Sequence, residues 1–317
     1  MPKQKKMINY KRNNLVISVI IPVYNDPLGL NDTLKSIENQ DFHKENYEII
    51  VADNGSDDKT LDIANEYTEK YPEFVKLVIE DKIKSSYAAR NKGIKVSTGD
   101  IIAFIDADMT VEKDWLKKIV ESFKTNNADY MGYKVEIPLK DNSIFGLYNK
   151  ITGFPIESYM NKFHFAPTCC LIVKRKVFDK FGLFDSRLIS SGDLEFGTRV
   201  FRNGIIQHYN PEIIARHPSR STLKQIIRKN FRIGRGSQQL AFFYPDNFIE
   251  SKRSVFHFRH YLPSKPWTFC QGMNKNKLWN NLNLLAKIQL YLIHWGNKLA
   301  IQAGYIYEKT KIKYGNG

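Results

Sequence analysis

Cysteine is scarce in this sequence of 317 residues, which has three: Cys169 and Cys170 are adjacent, and Cys270 stands alone. This number and spacing exclude a disulfide framework and a zinc site, and they are typical of a protein in the reducing cytosol. Long apolar runs are lacking as well. No stretch reaches the ~18–20 uncharged apolar residues of a spanning helix. The basic N-terminal tail, residues 1–14, lacks the apolar core of a signal peptide.

Acidic residues are nearly missing from the C-terminal segment, residues 218–317. It holds 17 of the 48 lysines and arginines but only 3 of the 33 aspartates and glutamates. Residues 1–217 therefore carry 31 basic and 30 acidic side chains and are close to neutral. The net charge of +15 thus predicts an acidic partner for the C-terminal segment rather than for the whole chain.

What the chain does contain is an alternation of apolar runs with helical patterns. Its hydrophobic content of 42% is typical of a globular protein. Four runs predict buried strands: Leu15–Pro22, Tyr47–Ala52, Val75–Ile79 and Ile101–Ile105. Helical patterns lie between them, one of them at Ser86–Val96. Together they predict an α/β fold with a doubly wound, mostly parallel sheet flanked by helices.

A further helix is predicted after the fourth strand, with Thr110 as its N-cap and Trp115, Ile119 and Phe123 facing inward. Beyond Ala128 the alternation loosens, and the charge balance changes at residue 218. We therefore expect a main domain at residues 15–217, with halves at 15–127 and 128–217, followed by a basic, partly amphipathic helical segment at 218–317.

Two carboxylates, Asp106 and Asp108, directly follow the fourth predicted strand. In open α/β sheets the crevice at the carboxyl ends of the strands is where ligands bind. Carboxylates so close together raise each other's pKa unless a cation lies between them. The pair therefore predicts a divalent metal with oxygen ligands, carrying a phosphate.

Five motifs, taken together and in this order, resemble those of family 2 glycosyltransferases with the GT-A fold. They are VIIPVYN (Val19–Asn25), VADNGSDDKT (Val51–Thr60), AARNKGI (Ala88–Ile94), GDIIAFIDADM (Gly99–Met109) and FGLFDSRLISSGDLEFGTR (Phe181–Arg199). The resemblance covers residues 17–217. It implies a nucleotide-sugar-binding half at 15–127 and an acceptor half at 128–217.

The resemblance also implies roles for single residues. Donor-binding positions of the family match Pro22, Tyr24, Asp53, Arg90 and Asp106. A carboxylate such as Asp53 can accept the imide N–H of a uracil-type base, and an arginine can bind phosphate through charge-assisted hydrogen bonds. The metal positions match Asp108, Asp106 and His217, which are expected to hold Mn²⁺ or Mg²⁺, and imidazole suits Mn²⁺ better.

The expected catalytic base is Asp193, which would remove the acceptor's hydroxyl proton during an inverting displacement. The family commonly has Glu-Asp at this point, whereas this sequence has Gly192 before Asp193. Glu195 is therefore an alternative base. A structural ion pair between Asp193 and Arg199 is the alternative to a catalytic role.

The C-terminal segment departs from the processive polysaccharide synthases of the family. Their Gln-x-x-Arg-Trp motif is absent, and the corresponding stretch reads RKNFRIGRG (Arg228–Gly236), which favours single transfer. Four cations there are expected to hold the donor's diphosphate or a lipid-phosphate acceptor: Arg228, Lys229, Arg232 and Arg235.

A helix near the C-terminus has an apolar face made of Leu285, Ile288, Leu292, Trp295, Leu299, Ala303 and Ile306. Lys287, His294, Lys298 and Gln302 lie on the opposite face. The apolar face is expected either to pack on the catalytic domain or to lie in an anionic membrane interface.

The sequence thus predicts an inverting, metal-dependent glycosyltransferase that uses a nucleotide-diphospho-sugar, with a UDP-sugar as the expected donor. The expected acceptor is a glycan or a lipid-linked sugar in cell-surface synthesis. The protein is expected in the cytoplasm, with the inner face of the cell membrane as a peripheral location. Alternatives are a nucleotidyltransferase of related fold and an inactive sugar-nucleotide-binding relative. A nucleic-acid partner is not expected, because no recognised binding module is present.

Overall fold

The computed structural model describes residues 16–248, 258–274 and 276–314. The predicted tail at residues 1–14 lies outside the described residues. One sheet has the strand order β3-β2-β1-β4-β7-β6-β8-β5. Its strands are β1 (Ile17–Val23), β2 (Tyr47–Asp53), β3 (Val75–Ile79), β4 (Ile101–Phe104), β5 (Thr110–Val111), β6 (Tyr130–Glu136), β7 (Leu171–Lys174) and β8 (Gln207–Arg216).

Helices flank this sheet, and the elements described after β8 are helices. Those within the main domain are α1 (Pro27–Glu38), α2 (Thr60–Lys70), α3 (Ser86–Val96), α4 (Trp115–Thr125), α5 (Ile144–Thr152), α6 (Ile156–Phe163), α7 (Arg175–Phe181) and α8 (Gly192–Arg202). Those that follow are α9 (Leu223–Phe243), α10 (Pro266–Met273), α11 (Lys277–Asn280) and α12 (Leu284–Tyr314).

The sheet is mostly parallel, as predicted. Strand β1 pairs in parallel with β2 and β4, β2 with β3, and β6 with β8. Strand β7 is antiparallel to both β4 and β6, and β5 is antiparallel to β8. Because β1, β2 and β4 run in the same direction, their carboxyl ends meet at one edge of the sheet. The residues that follow these strands build the candidate site.

Helices cover both faces of the sheet, and every residue of β1 and β2 is consequently buried. Trp115, Ile119 and Phe123 of α4 face inward, as predicted. The prediction that Thr110 caps this helix is wrong. Thr110 lies in β5, where it pairs with Arg216, and α4 begins five residues later at Trp115.

The C-terminal segment is helical, and its longest helices, α9 and α12, pack on each other. The contact face of α12 includes Leu290, Ile293 and Ala300, all buried. Glycines bring the two backbones close, since a Cβ at Gly304 would overlap the carbonyl oxygen of Phe231, and one at Gly234 that of Ile301.

The apolar face of α12 that the sequence pattern singles out does not pack on the catalytic domain. Leu285, Ile288 and Leu292 are 65%, 47% and 52% exposed, and Leu299 is exposed as well. The packing prediction is therefore wrong for these residues. The side of α12 that carries Gly304 contacts α9, and its buried residues include the polar Asn297, Gln302 and Glu308. Within the described ranges, no helix is long and apolar enough to cross a membrane.

The glycine contact predicts opposite effects for two substitutions in α12. Gly304→Ala forces a methyl group into the backbone of α9 and should lower the free energy of unfolding by about 1–3 kcal/mol. Gly296→Ala meets open space in the same helix and should raise it by roughly 0.5–1 kcal/mol. Chemical denaturation measures both. Equal stability of the two variants would contradict the close crossing.

Candidate active site

Asp53, the last residue of β2, is fully buried at the carboxyl edge of the sheet. Its Oδ1 accepts hydrogen bonds from the backbone N–H groups of Gly55 (2.8 Å) and Ser56 (2.9 Å), which fix the following loop. Gly55 has a φ of +76°, which glycine adopts readily. Oδ2 of Asp53 is buried and has no hydrogen-bond partner. A buried acceptor of this kind is costly unless a ligand donates to it.

The end of β1 provides the neighbouring surface. Pro22 is buried and lies in register with Ala52 of β2. Tyr24 follows as an exposed ring, and the Lys84 ammonium lies 5.2 Å from its centroid. The sheet therefore brings Pro22, Tyr24 and Asp53 to one edge, where a flat base can lie against the aromatic ring.

Arg90 on α3 holds the first of the two carboxylates. Its Nη2 donates to Oδ1 of Asp106 at 2.6 Å, and its Nη1 donates to the carbonyl of Ser86 at 3.2 Å. The arginine is buried, and its Nε has no partner. The pair offsets the charge of Asp106, so the charges of Asp106 and Asp108 are not left to repel each other without compensation.

Asp108 is paired differently, with His217 after the end of β8. Oδ2 of Asp108 lies 3.7 Å from Nε2 of His217. The histidine is buried, and its Nδ1 lies 2.8 Å from the carbonyl of Pro218. A carbonyl only accepts, so Nδ1 carries a proton, and Nε2 is the ring nitrogen that faces Asp108. Burial raises the pKa of Asp108, with Asp106 adding to the rise and His217 opposing it.

A carboxylate oxygen and an imidazole nitrogen at this distance suit a divalent ion such as Mn²⁺. Asp108 and His217 are the residues here that can hold one. Among the residues that the structure describes, no three His, Cys, Asp or Glu side chains are close enough to form a complete metal site. Further ligands must therefore come from a bound molecule or from water. The third predicted metal residue, Asp106, contacts Arg90.

Asp193 lies in the first turn of α8, where Tyr87 of α3 contacts it. The Tyr87 hydroxyl donates to Oδ1 of Asp193 at 3.3 Å and accepts from the N–H of Gly192 at 2.9 Å. Burial raises the pKa of Asp193. A side chain at position 192 would overlap the Tyr87 ring, which explains the glycine there. Sequence reasoning missed Tyr87, because no local pattern links it to a residue so distant in the chain.

Glu195, the alternative base, is buried and bound to Arg199. Both of its carboxylate oxygens accept from that guanidinium, at 2.7 and 3.0 Å. Arg199 also donates to the carbonyls of Phe181 and Leu183. The suggested ion pair between Asp193 and Arg199 is therefore wrong, since Arg199 pairs with Glu195 and ties α8 to the loop after α7.

A cavity of about 1120 Å³ opens beside Asp108 and His217 toward α9. Its cationic lining consists of Arg216, Arg220, Arg228, Lys229 and Arg232, together with Lys140. Burial, reinforced by the charge of Arg220, lowers the pKa of Lys229 to about 8. Arg235, which sequence reasoning grouped with these cations, instead donates to Glu308 of α12 at 2.6 Å. Arg220 was missed, because it lies in the loop before the helical pattern.

Comparison with known proteins identifies the class. The model of glycosyl transferase family 2 matches residues 18–182, which is about half of the chain. Glycosyltransferase AglE of Haloferax volcanii is 30% identical over 294 residues, covering 91% of this chain and 94% of that protein. The chain therefore belongs to glycosyltransferase family 2 and is a transferase. This sets aside the nucleotidyltransferase and nucleic-acid-binding alternatives.

A second relative, from Methanococcus voltae, is 29% identical over 261 residues, covering 74% of this chain and 78% of that protein. It is named a dolichyl N-acetyl-α-D-glucosaminyl phosphate 3-β-D-2,3-diacetamido-2,3-dideoxy-β-D-glucuronosyltransferase. Its name thus describes a sugar acceptor attached to a lipid through phosphate.

Two solved structures share the fold. A mannosyltransferase from Pyrobaculum calidifontis in complex with GDP-Man and Mn²⁺ has a TM-score of 0.59 at 18% identity, covering 96% of this chain and 89% of its own. S. aureus TarS 1-349 in complex with UDP-GlcNAc has a TM-score of 0.54 at 19% identity, covering 95% and 92%. They confirm the predicted GT-A fold.

Proposed function

We propose that this family 2 glycosyltransferase is a metal-dependent, inverting enzyme that transfers one sugar from a UDP-sugar to a hydroxyl group of a phosphate-bearing acceptor. The observation that carries the proposal is the approach of Asp108 to His217 at the carboxyl edge of the sheet. Asp53, Arg90 and Asp106 lie along the same edge and supply the donor side.

Base recognition rests on Asp53. Its unpartnered Oδ2 can accept the imide N–H of uracil, and its Oδ1 is already committed to the loop. The exposed ring of Tyr24 offers a stacking surface. A guanine base presents a similar N–H, and one of the solved neighbours binds GDP-Man, so the binding test below includes GDP.

Asp108 and His217 would hold the divalent ion, which on binding supplies positive charge to the leaving nucleoside diphosphate. Arg90 holds the carboxylate of Asp106 at 2.6 Å, so that it can accept hydrogen bonds from the donor's ribose. Nδ1 of His217 contacts the Pro218 carbonyl, so Nε2 is the nitrogen that would coordinate the ion.

Asp193 is the proposed base. Its half-buried carboxylate has a pKa raised by desolvation, which makes it a stronger proton acceptor than a solvated aspartate. The Tyr87 hydroxyl orients it, and Leu194 donates to the same oxygen, which leaves Oδ2 for the acceptor hydroxyl. Glu195 is the poorer candidate, because Arg199 occupies both of its oxygens.

Replacing the proposed catalytic base should lower the turnover rate without lowering the affinity for the donor. Asp193→Asn keeps the hydrogen bond from Tyr87 but cannot take a proton, so turnover should fall about 10²–10⁴-fold. Turnover is measured as released nucleoside diphosphate, with pyrophosphate as the negative control product. Donor affinity should change less than about twofold, because Asp193 does not contact the donor in this proposal. Residual turnover above a tenth of the wild-type value would refute the assignment, and an inactive wild type would favour the inactive relative.

Replacing a metal ligand should remove metal-dependent donor binding. UDP with Mn²⁺ should raise the melting temperature of the wild type by about 5 °C, since a ligand that binds the native state stabilises it. Asp108→Ala should abolish this shift, while Asp246→Ala, an exposed aspartate outside the site, should retain it. The same measurement of melting temperature with GDP in place of UDP identifies the nucleotide base that the protein prefers. An undiminished shift in Asp108→Ala would contradict the metal role.

A lipid-linked acceptor would place this protein at a membrane surface. The M. voltae relative is named for a lipid-linked acceptor, and the exposed apolar face of α12 supports a membrane surface for this chain as well. Trp267 on α10 is exposed near this helix, and Lys309 and Lys313 at its end are exposed cations. We therefore infer a peripheral position on an anionic membrane at its cytoplasmic face.

Vesicle binding tests this location. Ile288→Ser/Leu292→Ser removes two side chains of the exposed face and should weaken retention on phosphatidylglycerol vesicles about tenfold or more. The matched control is Ile83→Ser/Ile206→Ser, two isoleucines outside the C-terminal segment that are 45% and 54% exposed. Equal retention of both double variants would contradict a membrane role for α12.

A further inference from the structure

The cavity beside the metal pair is lined by six cations but by only four carboxylates, those of Asp26, Asp32, Asp108 and Asp141. Within the described residues, Arg220, Lys229 and Arg232 make no ion pair with a carboxylate of the protein, whereas Arg235, one turn further along α9, binds Glu308. Nη1 of Arg220 is buried without a hydrogen-bond partner. Its Nη2 lies 3.4 Å from Nε2 of His217, which is not a carboxylate.

Lys229 is in a similar position. Its ammonium lies 5.4 Å from the centre of the Phe154 ring, a weak partner compared with a carboxylate. Burial and the charges of Arg220 and Arg232 lower the pKa of Lys229, so these cations are close enough to repel one another. Arg220 and Lys229 are half-buried and Arg232 is exposed. Holding cations this close together costs free energy, and an anion bound between them would offset it.

The cavity adjoins the proposed donor side through Asp26, Leu28 and Gly29, which follow β1. Asp53, Tyr24, Arg90 and Asp193 do not line it, whereas Asp108 and His217 do. Arg90, on the donor side, is already paired with Asp106. The cations without an ion pair instead line the part of the cavity formed by α9 and the chain that precedes it.

We propose that Arg220, Lys229 and Arg232 form a binding site for the phosphate group of the acceptor. The planar guanidinium groups match phosphate oxygens in pairs, and the ammonium adds a third donor. This rests on the proposed function, because it assumes that the donor's diphosphate is held at Asp108 and His217. The acceptor hydroxyl would then be positioned through the acceptor's own phosphate group, independently of the donor's diphosphate.

Calorimetric titration of the full chain tests the site in two arms. In the first arm UDP is titrated in the presence of Mn²⁺. In the second arm octyl phosphate, below its micelle concentration, is titrated into protein saturated with UDP and Mn²⁺, with 1-octanol as the uncharged comparison. Lys229→Met and Arg232→Gln should each weaken octyl phosphate about tenfold, since each removes a charged hydrogen-bond donor. The affinity for UDP should change less than about twofold.

Lys224→Met is the matched control, because Lys224 is an exposed cation of α9 that does not line the cavity. It should leave both affinities unchanged, which separates local contacts from net charge. Melting curves verify that the variants fold, and removal of the Lys229 charge should not destabilise the protein. If both variants weaken UDP as much as octyl phosphate, the cations serve the donor and the proposal is overturned.

Octyl phosphate that binds variants and wild type alike would overturn the proposal as well, and so would 1-octanol binding equal to octyl phosphate. A wild type that does not bind UDP marks a failure of the proposed donor instead. Octyl phosphate is then titrated into the protein without UDP or Mn²⁺. The same comparison between wild type and variants then tests the phosphate site independently of the donor.

Discussion

A two-residue strand pairing is the constraint on which the candidate site depends. Strand β5 pairs antiparallel with the end of β8, Thr110 opposite Arg216 and Val111 opposite Ala215. Continuing this register brings the residues before Thr110 beside those after Arg216, which is why Asp108 and His217 approach to 3.7 Å. The ion pair between Arg216 and Glu112, at 2.7 Å, supports the same junction. The parallel half of the sheet and the C-terminal helices thus meet at the proposed metal site.

The two carboxylates of the Asp-x-Asp motif are used in different ways, and this difference resolves their mutual repulsion. Asp106 is neutralised by Arg90, which belongs to the donor-binding half. Asp108 faces His217 and the cationic cavity, which belong to the later part of the chain. One motif therefore connects both halves, and the excess positive charge of the C-terminal segment begins at the site itself.

Much of the fold follows from local patterns, because β1, β2 and β4 are predominantly apolar runs and α3 spans the predicted residues. Contacts between distant residues cannot be read from such patterns. The role of Thr110 depends on a partner about a hundred residues away, and Gly192 is explained only by the ring of Tyr87. The packing side of α12 could not be predicted for a related reason: it buries Asn297, Gln302 and Glu308, and its close contact with α9 depends on glycine, which a hydrophobic pattern ignores.

We propose that His217, through its Nε2, binds a divalent ion together with Asp108. Electron spin-echo modulation of Mn²⁺ in the presence of UDP tests this coordination most directly, because the method detects a nitrogen nucleus bonded to the ion. We expect modulation from one imidazole in the wild type and its loss in His217→Gln, with UDP–Mn²⁺ still detectable. Absence of nitrogen modulation in the wild type, or its persistence in the variant, would contradict coordination by His217.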